Sequence, residues 1–204
     1  MSVGAFDILK SGVVFGSLSD ALKDISYAVG TSSGQQRTQP LGDYNQTIAE
    51  VCETADYNQV AIVFGDEKNG LGKEELERCN VVVRIPTAPE FAAMNMAQAV
   101  CVFAYELSKS TGESNQVTPQ IERERPTGSN DDELSVQLNN LLDHVEFSRK
   151  FNKELVLRQL LSFYKRADPT KREGDLLRGI LYKLNQSLAS NRDLEDRFED
   201  GPLP

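Results

Sequence analysis

Three segments of this chain combine small residues with polar ones, a composition that suits recognition of a ligand by backbone atoms. They are GTSSGQQR (30–37), GDEKNGLG (65–72) and PTAPEFAAMN (86–95). Small residues allow a ligand to approach the main chain closely, and exposed amides and carbonyls then supply hydrogen bonds. None of the three has the spacing of a G-x-G-x-x-G loop or of a Walker loop. The segments therefore favour an adenine or a ribose held mainly by backbone, and they give no support to a nicotinamide dinucleotide or to ATP.

Side chains for nucleophilic catalysis and for metal binding are few. The single histidine, His144, belongs to an apolar helical pattern, where a structural role is expected, and it leaves no Ser–His pair for catalysis. Cys52, Cys79 and Cys101 are far apart and form no C-x-x-C pair, which gives no support to a zinc site. Free thiols in a reducing compartment are expected instead. We therefore expect a cytoplasmic protein that binds no metal.

Each of the three segments follows a short apolar run that reads as a strand. These runs, together with one that precedes them, are GVVFG (12–16), SYAVGT (26–31), QVAIVFG (59–65) and VVVRI (81–85). Helical patterns separate the runs, and such alternation predicts an α/β domain with a mainly parallel sheet. Ligands of such sheets bind at the carboxyl ends of the strands. The three polar segments lie at those ends.

The second half of the chain has a different organisation. Residues 109–131 contain few apolar residues, two prolines and two glycines, which predicts a linker. Three helical patterns follow within 132–189, where Asp131 or Asp132 can cap the first helix and Asp168-Pro169 separates the second from the third. The last segment, 190–204, is read as a frayed acidic tail. No apolar run is long enough to span a membrane.

The net charge of −9 conceals a division along the chain. Residues 1–147 carry 10 Lys and Arg against 22 Asp and Glu, whereas residues 148–183 carry 10 against 4. Only this second stretch is basic enough to meet phosphate groups favourably. Composition alone leaves two readings open, a surface for RNA or a solvated helical face.

The residues also resemble a known family. VFGDEKNGL followed by RIPTAPEFAAMNMAQAVCVFAYEL is similar to motifs two and three of the SpoU-type RNA 2′-O-ribose methyltransferases, which belong to the SPOUT class. The resemblance implies an α/β fold whose sheet ends in a trefoil knot that holds S-adenosylmethionine. The positions that match the family pattern are Phe64, Gly65, Glu67, Gly70, Leu71, Ile85, Pro86, Asn95, Ala99, Tyr105 and Glu106.

A subgroup of this family can be specified. GTSSGQQRTQP and FYKRADPTKREGDLLRGIL are similar to segments of the branch that methylates tRNA at position 32 of the anticodon loop. The resemblance implies a methyltransferase domain over residues 1–108 and a helical RNA-binding extension over residues 132–189. It also implies a tRNA substrate and a homodimer. Helix 95–108 is the expected dimer contact, although a face buried within one chain explains its small residues equally well.

The resemblance assigns roles to individual residues. Cofactor contacts are implied for Thr31, Ser32, Ser33, Gly65, Ile85, Ala92, Ala93 and Met94. Catalytic roles are implied for Glu67 and Asn95, although a loop-bracing carboxylate and a helix cap are the ordinary alternatives. Gly65 is expected to let the adenosyl group approach without a Cβ, while simple turn chemistry is its alternative. RNA contacts are expected at Arg37, Lys165, Arg166, Lys171 and Arg172. For Arg178 two interpretations are equally good: an RNA contact, or a structural arginine held inside the protein by an acidic partner.

Two departures from the family pattern bear on activity. The third motif has Ala92-Ala93-Met94 where the family usually has a serine. The first arginine of the sequence is Arg37, so that the arginine of the family's first motif, and the strand–helix–strand that carries it, are expected to be missing. We therefore keep two hypotheses, an S-adenosylmethionine-dependent RNA methyltransferase and a non-catalytic RNA-binding or dimerisation module derived from one.

Overall fold

A small parallel sheet forms the centre of the first half of the protein. The computed structural model describes residues 6–33, 40–88, 94–113, 123–147 and 152–199. Its strands are β1 (Tyr27–Thr31), β2 (Val60–Val63) and β3 (Val81–Val83), in the order β2-β1-β3. Tyr27 is in register with Val60, and Val29 with Val81. The three runs predicted as strands are therefore confirmed, and their carboxyl ends lie at one edge of the sheet.

The predicted strand at 12–16 is wrong. Residues 12–15 lie outside any helix or strand, and the side chains of Val13 and Val14 are 70% and 97% exposed. This run lies between two one-turn helices, α1 (Phe6–Lys10) and α2 (Leu18–Leu22). An apolar run becomes a strand only where a neighbouring strand accepts its backbone hydrogen bonds. No strand of the described sheet does so here.

Two helices cover one face of the sheet. They are α3 (Tyr44–Ala55) and α5 (Met96–Glu113). The helix α3 begins where the side chain of Asp43 accepts a hydrogen bond from the Gln46 amide at 2.8 Å. Phe103 of α5 is the centre of the packing, because its ring lies 5.4 Å from that of Tyr44 and 5.5 Å from that of Phe64. This core holds the start of α5 against the carboxyl edge of the sheet.

The opposite face of the sheet carries α4 (Lys73–Arg78), which follows the polar loop after β2. Leu71 and Leu76 pack there against Val82 of β3. Gly72 precedes the helix, and its amide donates a hydrogen bond to the Glu75 carboxylate at 2.6 Å. This packing fixes the far end of the loop that begins at Phe64.

The second half is helical, as predicted, but its boundaries differ. Its helices are α6 (Gly128–His144), α7 (Lys153–Ala167) and α8 (Lys171–Glu199). The cap predicted at Asp131 or Asp132 is wrong, since α6 is preceded by Thr127, whose amide donates to the side chain of Asn130 at 3.0 Å. The separator at Asp168-Pro169 is confirmed, because Asp168 ends α7 with a left-handed φ of 46°. Helix α8 continues well into the segment read as a frayed tail.

The segment predicted as a linker is helical at both of its ends and fastened between them. Arg125 donates hydrogen bonds to Thr54 Oγ1 at 2.7 Å and to Asp168 Oδ2 at 2.8 Å, and its guanidinium lies 4.7 Å from the centre of the Tyr27 ring. The amide of Gly128 donates to the Ile25 carbonyl at 2.9 Å. These contacts join the sheet to the helical half. Among the described residues, no helix is both long and apolar enough to cross a membrane.

Candidate active site

A cavity of about 230 Å³ opens at the carboxyl edge of the sheet. Three loops and the start of α5 line it, and the lining includes Thr31, Ser32, Ser33, Gly65, Glu67, Ile85 and Met94. These seven are residues for which the resemblance implies a cofactor or catalytic role. Segments that lie far apart in the sequence therefore meet around one space.

Four other residues of the predicted site are not among those that line the cavity as described. Ala92, Ala93 and Arg37 are outside the described residues. Asn95 is exposed, and its side-chain oxygen accepts a hydrogen bond from the Ala97 amide at 2.9 Å. This bond caps α5, so that the geometry matches the ordinary role considered for Asn95.

Gly65 is required for the conformation of its own loop. A Cβ at this position would lie 2.1 Å from the carbonyl carbon of Gly70 and 2.3 Å from the amide nitrogen of Leu71. The glycine therefore allows the loop after β2 to close on its own backbone. Gly70 adopts a φ of 67°, which favours glycine although a Cβ there would meet no atom within 4 Å. The geometry of the turn, which was the alternative considered for Gly65, accounts for a glycine at both positions.

Asp66 braces this loop. Its carboxylate accepts hydrogen bonds from the amides of Asn69 and Lys68, both at 2.8 Å, and these bonds lower the pKa of Asp66. The Gly70 amide also donates to the Asp66 carbonyl at 3.0 Å. The family pattern gives no role to this position, but an aspartate shortly before Asn-Gly is a known turn signal.

Glu67 projects from the braced loop. It is exposed and lines the cavity, and within the described part of the chain its carboxylate has no hydrogen-bond or ion-pair partner. Because Asp66 braces the loop, Glu67 is left available to a molecule in the cavity.

The ends of the strands form the floor of the cavity. The hydroxyl of Thr31 donates to the carbonyl of Val63 at 3.0 Å, and the amide of Ser32 donates to the carbonyl of Val83 at 3.0 Å. These bonds hold the end of the central strand to both of its neighbours. The floor is therefore fixed by hydrogen bonds to backbone carbonyls rather than by large side chains.

Thr87 adds a polar group that sequence reasoning missed. Its hydroxyl oxygen is buried on the wall of the cavity and has no hydrogen-bond partner among the described residues. A buried hydroxyl without a partner costs about 1–3 kcal/mol, which a bound molecule can recover. Together with a floor of backbone groups, this orphaned hydroxyl fits a nucleoside, since a nucleoside offers both donors and acceptors.

Lys165 was expected to contact RNA, and its geometry indicates a structural role instead. Its ammonium donates to the carbonyls of Glu77 at 3.1 Å and Arg78 at 2.8 Å, and only 13% of the side chain is exposed. Burial lowers its pKa and raises that of Asp131, 3.9 Å away, because desolvation outweighs their mutual attraction. Lys165 thus closes the carboxyl end of α4, and its charge is engaged within the protein.

The other basic residues of the helical half differ in whether an acidic side chain already pairs with them. Lys171 pairs with Glu124 at 2.9 Å. Arg166 and Arg172 are exposed, and neither forms an ion pair within the described ranges. Arg178 is 13% exposed and is held by Glu133 and Asp175, which supports its structural reading.

Comparisons with known proteins agree with this division of the chain. The model of the SpoU rRNA Methylase family matches residues 1–105, and that of the C-terminal domain of the tRNA methyltransferase TrmJ matches residues 132–193. The tRNA (cytidine/uridine-2′-O-)-methyltransferase TrmJ of Yersinia enterocolitica is 31% identical over 192 residues, which are 91% of this chain and 74% of that protein. The protein of the same name from Shigella dysenteriae is 32% identical over 198 residues, which are 94% of this chain and 80% of that protein.

Solved structures give the same picture of the fold. The crystal structure of TrmJ from Z. mobilis superposes with a TM-score of 0.72 at 24% identity, covering 89% of this chain and 77% of that one. A putative methylase family protein from Neisseria gonorrhoeae gives a TM-score of 0.55 at 30% identity, covering 62% of this chain and 58% of that one.

Proposed function

Because the chain belongs to the SpoU methylase family, we propose that it transfers a methyl group from S-adenosylmethionine to a ribose 2′-hydroxyl of tRNA. The observation that carries the proposal is the cavity, since the loops that bear the family motifs line it together. The names of the relatives, which are tRNA 2′-O-methyltransferases, support the substrate. These relatives span both halves of the chain, and for that reason the non-catalytic module is not favoured.

The residues of the predicted site have different roles in this proposal. Backbone groups at Thr31–Ser33, Gly65, Ile85 and Met94 hold the adenosyl part. Ala92 and Ala93 precede Met94 directly in the sequence. The sulfonium of S-adenosylmethionine activates the methyl group, so the transfer needs no metal. Asn95 acts by fixing the start of α5.

Glu67 is the group that we assign to the ribose hydroxyl. That hydroxyl is a very weak acid, and its attack on the methyl carbon is helped by a group that accepts a hydrogen bond from it or takes its proton. The carboxylate of Glu67 lies at the cavity and is not engaged elsewhere among the described residues. Its position at the cavity and its lack of another partner therefore suit it to accept that hydrogen bond or proton.

The experiment that tests the proposed function follows a labelled methyl group from S-adenosylmethionine into tRNA. Methylation of a 2′-oxygen prevents that oxygen from attacking the adjacent phosphate, so the labelled linkage should resist alkali. Titration with S-adenosylhomocysteine should give one site per chain. Label recovered on a base, or no binding of S-adenosylhomocysteine, would contradict the proposal.

Thr87→Val should separate cofactor binding from stability. Valine keeps the shape but removes the orphaned hydroxyl, so the ligand-free protein should melt at a slightly higher temperature, while the affinity for S-adenosylhomocysteine should fall about tenfold. Thr87→Ser is the control and should bind like the original protein. If the affinity of Thr87→Val is unchanged, the hydroxyl has no part in binding.

Arg166 and Arg172 are the two exposed cations of the helical half that we propose as RNA contacts. Replacing both by alanine should make the negative slope of log affinity for tRNA against log salt shallower, by roughly 0.7 for each phosphate of a single-stranded loop that the protein no longer neutralises. Lys171→Ala is the comparison, because Glu124 already pairs with that lysine. Equal slopes for all three proteins would make these arginines a solvated face.

We also propose that two copies of the chain associate through α5. Ala99 and Phe103 point into the core, whereas Met96, Val100 and Tyr105 are 37%, 43% and 61% exposed. Val100→Glu should turn a dimer of two 22.6 kDa chains into monomers in sedimentation equilibrium. Val136→Glu, at a position of α6 that is 60% exposed, should leave the dimer intact. A monomeric original protein would remove this proposal.

A further inference from the structure

The cations of the α/β half differ in how far their charges are engaged by other groups of the protein. Three of them form ion pairs: Lys73 with Glu77, Arg78 with Asp132, and Lys109 with Glu106. In the described stretch between residues 6 and 113, only Lys23, Lys68 and Arg84 have neither an acidic partner nor any other polar interaction of the side chain. All three are exposed. Their charges are therefore available to a negatively charged ligand, although this half of the protein is strongly acidic.

Two of these three cations line the cavity. Lys68 belongs to the loop after β2, and Arg84 directly follows β3. Because β1 lies between β2 and β3, and neighbouring strands are about 4.8 Å apart, the strands that carry them end roughly 10 Å apart. Lys68 and Arg84 therefore reach the cavity from the segments that follow the two outer strands of the sheet.

A ribose that enters this cavity brings two negative charges with it. Its 2′-hydroxyl must reach the methyl group, and the phosphates on the 5′ and 3′ sides of the same nucleotide then remain near the opening. The carboxylates of Asp66 and Glu67 lie on the loop there and repel phosphate, unless cations offset them. Arginine suits a phosphate because its guanidinium donates two parallel hydrogen bonds, and lysine supplies a compact charge.

We propose that Lys68 and Arg84 bind the phosphates on the two sides of the target nucleotide and so guide the RNA strand across the cavity. The proposal rests on the proposed function, because it concerns the substrate of the same site. It adds a second RNA contact to the one in the helical half. The strand would thus be held where the chemistry takes place as well as at a distance from it.

The test compares the salt dependence of tRNA binding in Lys68→Ala, Arg84→Ala and the double variant. Each single change should make the negative slope of log affinity against log salt shallower by roughly 0.7, and the double change should make it shallower by about twice as much. Arg84→Lys should keep most of the slope. Lys23→Ala is the matched control, since this lysine is also exposed and has no acidic partner among the described residues, but does not line the cavity. Circular dichroism should show that all variants are folded.

Two results would overturn the proposal. One is a double variant whose slope equals that of Lys23→Ala. The other is a loss of S-adenosylhomocysteine affinity in Arg84→Ala with an unchanged slope, because the guanidinium would then bind the carboxylate of the cofactor. The proposed function fails separately, if the original protein itself binds no S-adenosylhomocysteine.

Discussion

Replacement of Gly65 by alanine should reduce the affinity for S-adenosylhomocysteine and the rate of methyl transfer by about 100-fold, because it displaces the loop that lines the cavity. The added Cβ would lie 2.1 Å from a backbone carbon of Gly70, and no rotation of a side chain can relieve that contact. The loop must open, and Glu67 moves with it. Calorimetric titration and a labelled-methyl assay measure the two effects.

Gly72→Ala provides the control for this experiment. Gly72 has an ordinary φ of −70°, and its added Cβ would meet only the Glu75 carboxylate at 3.4 Å. This variant should bind the cofactor nearly as well as the original protein. If Gly65→Ala and Gly72→Ala bind equally, the close approach of the loop to itself has no importance for the site.

Lys165→Met should lower the free energy of unfolding by about 3 kcal/mol, since it leaves two carbonyls and a partly buried carboxylate without their cation. For a chain of this size that decrease corresponds to roughly 6–12 °C in melting temperature. Methionine retains most of the apolar stem, so the effect reports the charge and its hydrogen bonds. Thermal unfolding followed by circular dichroism measures it.

Lys171→Met is the matched change at an exposed position, where the ion pair with Glu124 is open to solvent. It should leave the melting temperature nearly unchanged. A salt-dependent loss of tRNA affinity in Lys165→Met without a loss of stability would contradict the structural role and restore the expectation of an RNA contact.

The strands were predictable where local composition and pairing agree. The runs at 26–31, 59–65 and 81–85 are apolar, rich in β-branched residues and followed by polar loops. The run at 12–16 has a similar composition but no adjacent strand within the described sheet. Pairing between strands depends on distant parts of the chain, which a local pattern does not contain.

The site was predictable at the level of segments and less so at that of atoms. The family motifs identified the three loops, because spacing along the chain carries that information. The roles of Asp66 and Thr87 depend on which amides lie within 3 Å and on whether a hydroxyl has a partner. Lys165 was assigned from its charge alone. The carbonyls that it contacts belong to Arg78 and Glu77, which are 87 and 88 positions away along the chain.

We expect the contacts of Arg125, Gly128 and Lys165 to make the two halves of the protein unfold as one unit. A Cβ on Gly128 would lie only 2.4 Å from the carbonyl oxygen of Leu22, so the start of α6 is seated directly on the end of α2. If either half unfolded alone, the other would expose charged groups whose partners had left. Heating should therefore give a single cooperative transition with equal calorimetric and van't Hoff enthalpies. Cooperative unfolding should therefore extend across the boundary between the two family domains.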